Sequence, residues 1–356
     1  MRVVISAGGT GGHINPALAI IDKIKEENPN SEFLYIGTTD RMEKDIIPKK
    51  NIPYVGLTMS GLKRKFTFDN FKSINNFLKS IKICKKEIKK FNPDIVIGVG
   101  GYVTAPVIYA GKKLGYKTLV HEQNSVLGLS NKILIRYTDT LCTSFPQMKI
   151  DKVNLVYTGN PCEEEARNKK PFKKEDFGLE KNKKLVLIVM GSLGSRTVNK
   201  VLTESINDFY NDNYEVVIIT GKNYYDEYKK LSLPKNVHIF SYIDDLVRLI
   251  KISDLVVTRA GATTISEVLG CKVPALFIPS PYVTENHQYK NAQSLVKIGA
   301  ADLIEEKDLT KSVLINKVNT LMNDEEKLKN IKNNLSKIEE KNSATLIYNE
   351  IEKLVK

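Results

Sequence analysis

The segment RVVISAGGTGGHINP, residues 2–16, joins a short apolar run to a glycine-rich loop and then to a helical pattern. The apolar run predicts a buried strand, and Pro16 is typical of the first turn of the helix that follows. Glycines let a backbone approach a ligand closely, and the N–H groups of a helix N-terminus suit a diphosphate. The segment therefore predicts the first strand–loop–helix unit of an α/β fold, with a ligand at its loop.

The same alternation of apolar runs and amphipathic segments continues through both halves of the chain. In the first half, the predicted strands are 3–6, 33–36, 54–57, 95–98, 118–121 and 140–143, and the clearest helices are 16–27, 70–90 and 105–114. In the second half, the predicted strands are 185–190, 215–220, 237–240, 255–258 and 275–278, and the helices are 197–208, 245–251, 264–269 and 287–298. Strands that alternate with helices indicate parallel sheets covered on both faces. We therefore predict an α/β protein with two doubly wound, Rossmann-like domains.

The domain boundary is predicted from a change in composition. The chain has 356 residues, which suggests two domains, and residues 160–183 are mostly charged and contain Pro161 and Pro171. We place the first domain at 1–162 and the second at 163–342. The last helical segment, 343–356, is expected to pack back on the first domain.

Composition excludes several classes of protein. Hydrophobic residues make up 42% and charged residues 27% of the chain, as in globular proteins, and no apolar run approaches the ~18–20 residues of a membrane span. The first apolar run is too short for a signal peptide, which predicts a cytoplasmic protein. The four cysteines lie far apart without a CxxC pair, so neither a zinc site nor a disulfide framework is indicated.

The positive charge is concentrated in the first half. The net charge is +13, and residues 1–162 hold 24 basic and 13 acidic residues. Residues 63–90 alone carry ten basic and two acidic residues, with Phe66, Phe68, Phe71 and Phe77 between them. Such a patch suits nucleic acid or an anionic membrane surface, although lysine-favouring codon usage would also produce it. For membrane insertion, Leu62, Phe66 and Phe68 are expected in a loop before the helix.

Polar residues follow three predicted strands of the first half. His13 closes the first loop, where its neutral imidazole could accept a proton from a hydroxyl nucleophile. The runs 98–102 and 121–124 end two later strands, and we expect these strand ends to face one crevice, although each run alone could also serve turn formation. Strand 33–36 lacks the acidic residue that a nicotinamide-binding dehydrogenase places at its end, so that class is disfavoured.

Two clusters of the second half have the chemistry of a sugar-nucleotide site. Residues 259–267 follow a strand and open a helix, and Glu267 is predicted in its first turn. That carboxylate could simply complement the helix dipole, or it could accept hydrogen bonds from two vicinal sugar hydroxyls. In the segment 287–292, His287 and Asn291 share a helix face, and amide and imidazole groups read hydroxyls well.

Taken together, the segments 8–16, 98–102, 121–124, 158–161, 259–267 and 287–292 resemble the MurG family of glycosyltransferases. These are the N-acetylglucosaminyltransferases that convert lipid I to lipid II in peptidoglycan synthesis. The resemblance implies the B-type glycosyltransferase architecture, two Rossmann-like domains separated by a cleft. It also implies an inverting transfer of N-acetylglucosamine from UDP-N-acetylglucosamine to the 4-hydroxyl of the muramoyl sugar of lipid I.

The resemblance also implies residue roles. His13 would be the catalytic residue, as general base or as an orienter of the attacking hydroxyl. Acceptor-binding residues would be Gly11, Gly12, His13 and Tyr102. Donor-binding residues would be Thr10, Gly11, Gly12, Asn124, Ser192, Ile243, Ala262, Thr263, Thr264, Glu267, Gln288 and Asn291. Among these, Glu267 would bind the ribose, the Ile243 backbone the uracil, and Ser192 a phosphate. Gln288 and Asn291 would contact the transferred sugar, and Asn124 would reach across the cleft.

The partners expected from the resemblance are UDP-N-acetylglucosamine, undecaprenyl-linked lipid I and the anionic cytoplasmic face of the membrane, without nucleic acid. No cofactor and no dedicated metal site are predicted, since no Asp-x-Asp pair follows a strand. The sequence departs from the family after Asn160-Pro161, where an arginine is usual and the run 162–167 supplies only Arg167. It also departs at Leu193, where no side-chain contact to the donor is expected.

Two other hypotheses stay open at this point. The same fold could serve another UDP-sugar glycolipid transferase or a sugar-nucleotide epimerase, although the run 121–124 favours the MurG family. The basic first half could instead bind nucleic acid by stacking bases on its phenylalanines. No recognised nucleic-acid motif accompanies the basic segment.

Overall fold

The structure, a computed structural model, describes residues 1–59, 68–146, 148–191 and 194–356, and only the backbone of 68–74 and 284. The chain forms two compact units, 1–164 with 341–356, and 165–340. The predicted boundary lies two residues before the observed one. Among the described residues, no helix has the length and apolar composition that crossing a membrane requires.

Each unit is built on one parallel sheet, which confirms the predicted fold class. The strands of unit 1 are β1 (Arg2–Ser6), β2 (Glu32–Thr38), β3 (Tyr54–Leu57), β4 (Ile95–Gly98), β5 (Lys117–Glu122), β6 (Thr140–Thr143) and β7 (Asn154–Tyr157). The strands of unit 2 are β8 (Lys184–Val189), β9 (Tyr214–Ile219), β10 (Val237–Phe240), β11 (Leu255–Thr258), β12 (Ala275–Phe277) and β13 (Asp302–Leu303). Their orders are β3-β2-β1-β4-β5-β6-β7 and β10-β9-β8-β11-β12-β13. The order therefore reverses direction beside β1 in unit 1 and beside β8 in unit 2, and such switch points are where open α/β sheets bind ligands.

Helices occupy most of the connections between strands. They are α1 (Gly11–Glu27), α2 (Glu43–Ile46), α3 (Phe68–Phe91), α4 (Thr104–Lys113), α5 (Leu129–Leu134), α6 (Pro161–Asn168), α7 (Arg196–Glu204), α8 (Tyr225–Tyr228), α9 (Leu246–Ile250), α10 (Ala262–Cys271), α11 (His287–Val296), α12 (Lys311–Asn323), α13 (Glu325–Ser336) and α14 (Ser343–Val355).

Apolar side chains cover both faces of the unit 1 sheet, because successive residues of each strand point to opposite faces. Ile5 of β1 packs in one apolar cluster with Ile347 and Ile351 of α14, whereas Val4 packs in another cluster with Val107 of α4 and Ile88 of α3. Successive side chains of a strand point to opposite faces, so a fully apolar run can feed both clusters. The C-terminal helix α14 is thereby part of unit 1.

Several predicted element ends differ from the observed ones. Helix α1 begins at Gly11, so Pro16 lies in its second turn, because the extended backbone of Thr10 already starts the helix. Phe68 is the first residue of α3 and is not in a loop, and Leu62 and Phe66 lie outside the described residues. Strands β7 and β13 were not predicted, because both lie at sheet edges, where β7 is only partly buried and β13 has two residues.

Candidate functional site

In unit 1, the loops after β1 and β4 meet at the switch point. The Gly8 N–H donates to the Gly100 carbonyl oxygen over 3.2 Å, so the two loops are held side by side. A Cβ atom on Gly100 would lie 2.4 Å from the His13 ring, and Gly100 has a φ of +109°. Only glycine therefore fits at this position against the imidazole.

His13 is the third residue of α1, directly above this loop. The carbonyl oxygen of Thr10 accepts the backbone N–H groups of His13 and Ile14, which starts the helix. His13 Nδ1 lies 3.0 Å from the Gly8 carbonyl oxygen. A carbonyl can only accept, so Nδ1 carries the proton, and in the neutral ring the lone pair is then on Nε2. This is the arrangement that a base acting through Nε2 requires.

The remaining predicted residues of this loop lie close to His13 in the chain. Gly11 and Gly12 are the first two residues of α1, and Thr10 is its N-cap residue without a side-chain capping bond. Tyr102 is half-buried in the loop between β4 and α4. Its hydroxyl lies near Arg41, and this contact raises the pKa of the Arg41 guanidinium.

The sequence led us to expect the run 121–124 at the end of β5 to face a crevice, but its first three residues are buried and only Asn124 is accessible. His121 is fully buried, with Nε2 3.0 Å from the Gly159 carbonyl oxygen and Nδ1 2.9 Å from the Gln123 amide nitrogen. Gln123 in turn donates to the Val99 carbonyl oxygen. Burial lowers the pKa of His121, which keeps the imidazole neutral. These two side chains join neighbouring strand ends and have a structural role.

Glu122 organises the segment that follows β5. Its buried carboxylate accepts the N–H groups of Asn124 and Gly128 and the amide groups of Asn124 and Asn131, over 2.8–3.1 Å. Asn124 itself is half-exposed. The sequence could not separate the buried members of this run from the accessible one, because all four are polar.

In unit 2, a pocket of about 490 Å³ opens at the carboxyl ends of β8, β11 and β12. Its lining residues are Met190, Gly194, Ser195, Arg196, Thr197, Arg259, Ser280, Tyr282 and Gln288. Ser195 caps α7 through its side chain, which accepts the Val198 N–H. Ser192, a predicted phosphate contact, lies outside the described residues. The pocket combines a helix N-terminus with two arginines, which suits a diphosphate.

Arg259 has a larger part in this pocket than the sequence indicated. Its guanidinium donates to the Ile278 carbonyl oxygen over 2.8 Å and contacts both the Ser195 hydroxyl and the buried carboxylate of Glu306. It thereby connects the ends of β11 and β12 with the start of α7. The position of Arg259 directly after an apolar strand was the one feature of the sequence that could have indicated this part.

Two predicted sugar contacts, Gln288 and Asn291, lie on α11. Gln288 lines the pocket and accepts the Ser280 N–H on Oε1 over 2.9 Å. Asn291 is fully buried, and its amide nitrogen lies 3.5 Å from the Ala260 carbonyl oxygen. Asn291 therefore also connects α11 to the loop before α10.

Glu267 lies in the second turn of α10 and not in its first, because Ala262 and Thr263 already belong to the helix and are buried. Thr264 completes the first turn. The helix-dipole interpretation loses its basis, since the dipole effect is confined to the first turn.

The surroundings of Glu267 disfavour its charged form. Burial, together with the carboxylates of Glu165 and Asp245, raises the pKa of Glu267 to about 7, and only Lys169 opposes them. Lys169 pairs with Glu165 over 2.9 Å and with Asp245 over 2.8 Å. Ile243, two residues before Asp245 in the chain, is half-buried. A carboxyl group poised in this way can be ionised by a ligand that donates hydrogen bonds.

Arg167 is not among the residues that line the 490 Å³ pocket. Its side chain is largely buried, and Nε forms an ion pair with Glu340 over 3.7 Å. The structure therefore gives no support to Arg167 as a replacement for the family's usual arginine.

Comparison with known proteins assigns the two units to one family. Residues 3–143 match the model of the glycosyltransferase family 28 N-terminal domain, and residues 185–347 match that of the glycosyltransferase family 28 C-terminal domain. A relative from Bacillus thuringiensis (strain Al Hakam) is 45% identical over the full length of both chains. It is named UDP-N-acetylglucosamine--N-acetylmuramyl-(pentapeptide) pyrophosphoryl-undecaprenol N-acetylglucosamine transferase 2. A transferase with the same substrates in its name, from Bacillus pumilus, is 42% identical over 99% of both chains.

Solved structures give a consistent result. The crystal structure of Acinetobacter baumannii MurG covers 99% of both chains with a TM-score of 0.77 and 26% identity. A putative UDP-N-acetylglucosamine 2-epimerase from Listeria monocytogenes covers 99% of this chain with a TM-score of 0.72 at 16% identity. The second likeness shows the shared fold alone.

Proposed function

This chain belongs to glycosyltransferase family 28, and from that premise we propose that it transfers N-acetylglucosamine from UDP-N-acetylglucosamine to lipid I, giving lipid II. The resemblance to the MurG family is confirmed by relatives and by a solved structure. The observation that carries the proposal is the 45% identity to a transferase with these named substrates over the whole chain. The sequence hypothesis of a nucleic-acid-binding protein has no comparable support.

In the proposed reaction, unit 1 holds the acceptor and His13 receives a proton from its attacking hydroxyl. The lone pair on Nε2, set by the bond from Nδ1 to the Gly8 carbonyl, supports this role. The hydroxyl is the 4-hydroxyl of the muramoyl sugar, which attacks the anomeric carbon of the donor as UDP leaves. One displacement inverts the donor's α linkage to β, so no enzyme nucleophile is required.

Unit 2 is proposed to hold the donor and to stabilise the departing UDP. Arg196 and the N-terminus of α7 supply positive charge and N–H groups in the 490 Å³ pocket, and Arg259, which is paired with Glu306, holds the pocket wall in place. Glu267 would accept the ribose hydroxyls, and Gln288 would contact the transferred sugar. These groups can perform the stabilisation that a divalent metal performs elsewhere, so we propose a metal-independent reaction.

The stereochemistry of the product tests this mechanism. With the α-linked donor and a lipid I analogue, we expect a β-linked disaccharide in the proton NMR spectrum, formed at an unchanged rate in chelator. Retained α configuration would contradict the single displacement. Loss of activity in chelator, restored only by a divalent ion, would contradict the metal-independent part.

Peripheral attachment of unit 1 to the anionic face of the membrane is proposed because the acceptor's lipid tail stays in the bilayer. On α3, the apolar residues Cys84 and Ile88 face the core, whereas Leu78 and Ile83 are 54% and 41% exposed. The exposed lysines of the same helix are Lys79, Lys82, Lys85, Lys86, Lys89 and Lys90. Exposed apolar side chains among lysines favour a surface that binds lipid without spanning it.

We expect salt-sensitive sedimentation with phosphatidylglycerol vesicles. Each lysine near an anionic leaflet contributes about 1 kcal/mol, so Lys82→Glu with Lys86→Glu should weaken binding at least about 30-fold. The matched control, Lys329→Glu on α13 of unit 2 with Lys337→Glu directly after that helix, should bind as the wild type does. Equal binding to neutral vesicles, or equal effects of the two double substitutions, would indicate that the basic excess reflects codon usage and not membrane binding.

A further inference from the structure

Glu43, at the start of α2, is a buried acid that the proposed reaction does not use. It is 0% exposed, and both of its carboxylate oxygens accept hydrogen bonds. Oε1 accepts the Thr38 N–H over 3.0 Å and the Thr38 hydroxyl over 2.7 Å, and Oε2 accepts the Gly9 N–H over 3.1 Å. The carboxylate therefore joins the end of β2 to the loop after β1.

The bond to Gly9 connects Glu43 to His13 through a single peptide group. The Gly9 N–H and the Gly8 carbonyl are the two ends of one planar peptide unit. One end donates to the Glu43 carboxylate, and the other accepts the Nδ1 proton of His13 over 3.0 Å. A carboxylate, a peptide and an imidazole thus form a continuous chain of hydrogen bonds.

We propose that Glu43 is a positioning residue that holds the Gly8–Gly9 peptide with its carbonyl toward His13, and so fixes the Nδ1–H tautomer of that histidine. The inference rests on the proposed function, in which the lone pair on Nε2 accepts the proton of the acceptor hydroxyl. Glu43 itself touches neither substrate nor the reacting atoms.

The two glycines explain why this peptide needs an anchor. Neither residue has a Cβ, and Gly9 has a φ of +94°, so rotation of the peptide plane meets little steric resistance. A rotated plane would present its N–H to Nδ1, which favours the opposite tautomer, with the proton on Nε2. The charge-assisted bond from Gly9 to the carboxylate opposes that rotation.

The same carboxylate also strengthens the bond to His13. A negative charge on the N–H end polarises the peptide and makes its carbonyl a better acceptor. A Cβ on Gly8 would lie 2.4 Å from Oε1 of Glu43, so the carboxylate occupies the space beneath the loop.

The Tyr54 hydroxyl donates to the Thr38 carbonyl oxygen beside Glu43 but does not touch the Gly8–Gly9 peptide. Tyr54→Phe is therefore a matched control that removes one hydrogen bond at the same place.

The test reads the tautomer directly by ¹⁵N NMR of the imidazole nitrogens. The chain has four histidines, and the His13 signals are assigned by their loss in His13→Gln. At about pH 8, where an ordinary imidazole is neutral, the wild type should show His13 protonated on Nδ1. In Glu43→Gln, the amide oxygen can still serve Thr38 while its NH2 faces the Gly9 N–H. We expect the Nε2–H form to gain population in Glu43→Gln and not in Tyr54→Phe.

Turnover gives the second readout. Glu43→Gln should lower kcat at least about tenfold while leaving the KM for UDP-N-acetylglucosamine near the wild-type value, and Tyr54→Phe should change neither. An Nε2–H tautomer in the wild type would overturn the proposal even if Glu43→Gln does not fold. An unchanged tautomer in folded Glu43→Gln would overturn it as well. Failure of the proposed function is a separate result, seen as no transfer to the lipid I analogue by the wild type whatever the tautomer of His13.

Discussion

Replacing His13 with alanine should lower kcat about 10²–10⁴-fold, the range in which general-base assistance contributes to catalysis. The imidazole is held by the Gly8 carbonyl and packs against Gly100, where no larger residue fits. The substitution removes the proton acceptor but leaves unit 2, where we propose that the donor binds. Donor affinity should therefore remain close to the wild-type value.

Initial rates with saturating donor and lipid I analogue, together with calorimetric titration of UDP, measure the two quantities separately. His238→Gln provides a control, since His238 pairs with Glu215 at the edge of the unit 2 sheet, away from the pocket. His238→Gln should keep both the rate and the affinity. Near-normal turnover of His13→Ala would remove His13 from the chemistry.

Replacing Glu267 with alanine should weaken UDP binding about 10- to 150-fold for each ribose hydrogen bond lost, since a charged bond contributes about 1.5–3 kcal/mol. The pKa of Glu267 is raised to about 7, mainly by burial and then by Glu165 and Asp245, and this predicts a pH dependence of donor binding. Ribose hydroxyls donate to the ionised carboxylate, so binding should release a proton. Affinity should rise with pH through about 7 and then level off.

Calorimetry with UDP-N-acetylglucosamine between about pH 6 and pH 8 tests this, because its diphosphate diester does not titrate there. Glu267→Gln should lose the pH dependence. His287→Gln should retain it, which separates the effect of the Glu267 carboxyl group from that of the His287 imidazole. Unchanged UDP affinity in Glu267→Ala would show that Glu267 does not bind the ribose.

The sequence predicted the buried framework well because the central strands are nearly continuous apolar runs. It placed β4, β6 and β11, and the edge strand β10, with their observed ends, since each run is bounded by polar or small residues. It missed the edge strands β7 and β13 and the first turns of α1 and α10, where glycine and alanine give no periodic signal. Small residues let these helices begin immediately after the loop, and such helix starts cannot be recognised from the spacing of hydrophobic residues.

The sequence could predict where a polar residue lies when that residue belongs to a loop after a strand or to the start of a helix. His13 at the loop after β1 and Gln288 at the start of α11 are of this kind, and their roles stay predictions. The proposed role of Glu43 could not be predicted from the sequence. It depends on the pairing of β1 with β2, which brings the loop after β1 next to the buried Glu43 carboxylate. The burial of His121 was equally hidden, since its partner is the Gly159 carbonyl, 38 residues away.

The measurement that tests the proposed function most directly follows radiolabelled UDP-N-acetylglucosamine in the presence of a lipid I analogue. We expect the label to move into a lipid-linked disaccharide, with no transfer when the analogue is omitted and transfer slowed about 10²–10⁴-fold when His13→Ala replaces the wild type. Two results would contradict the proposal. One is label that stays on the nucleotide as an epimerised sugar, which would identify an epimerase on the same fold. The other is label transferred to a glycolipid without a muramoyl sugar in preference to lipid I, which would identify a different transferase.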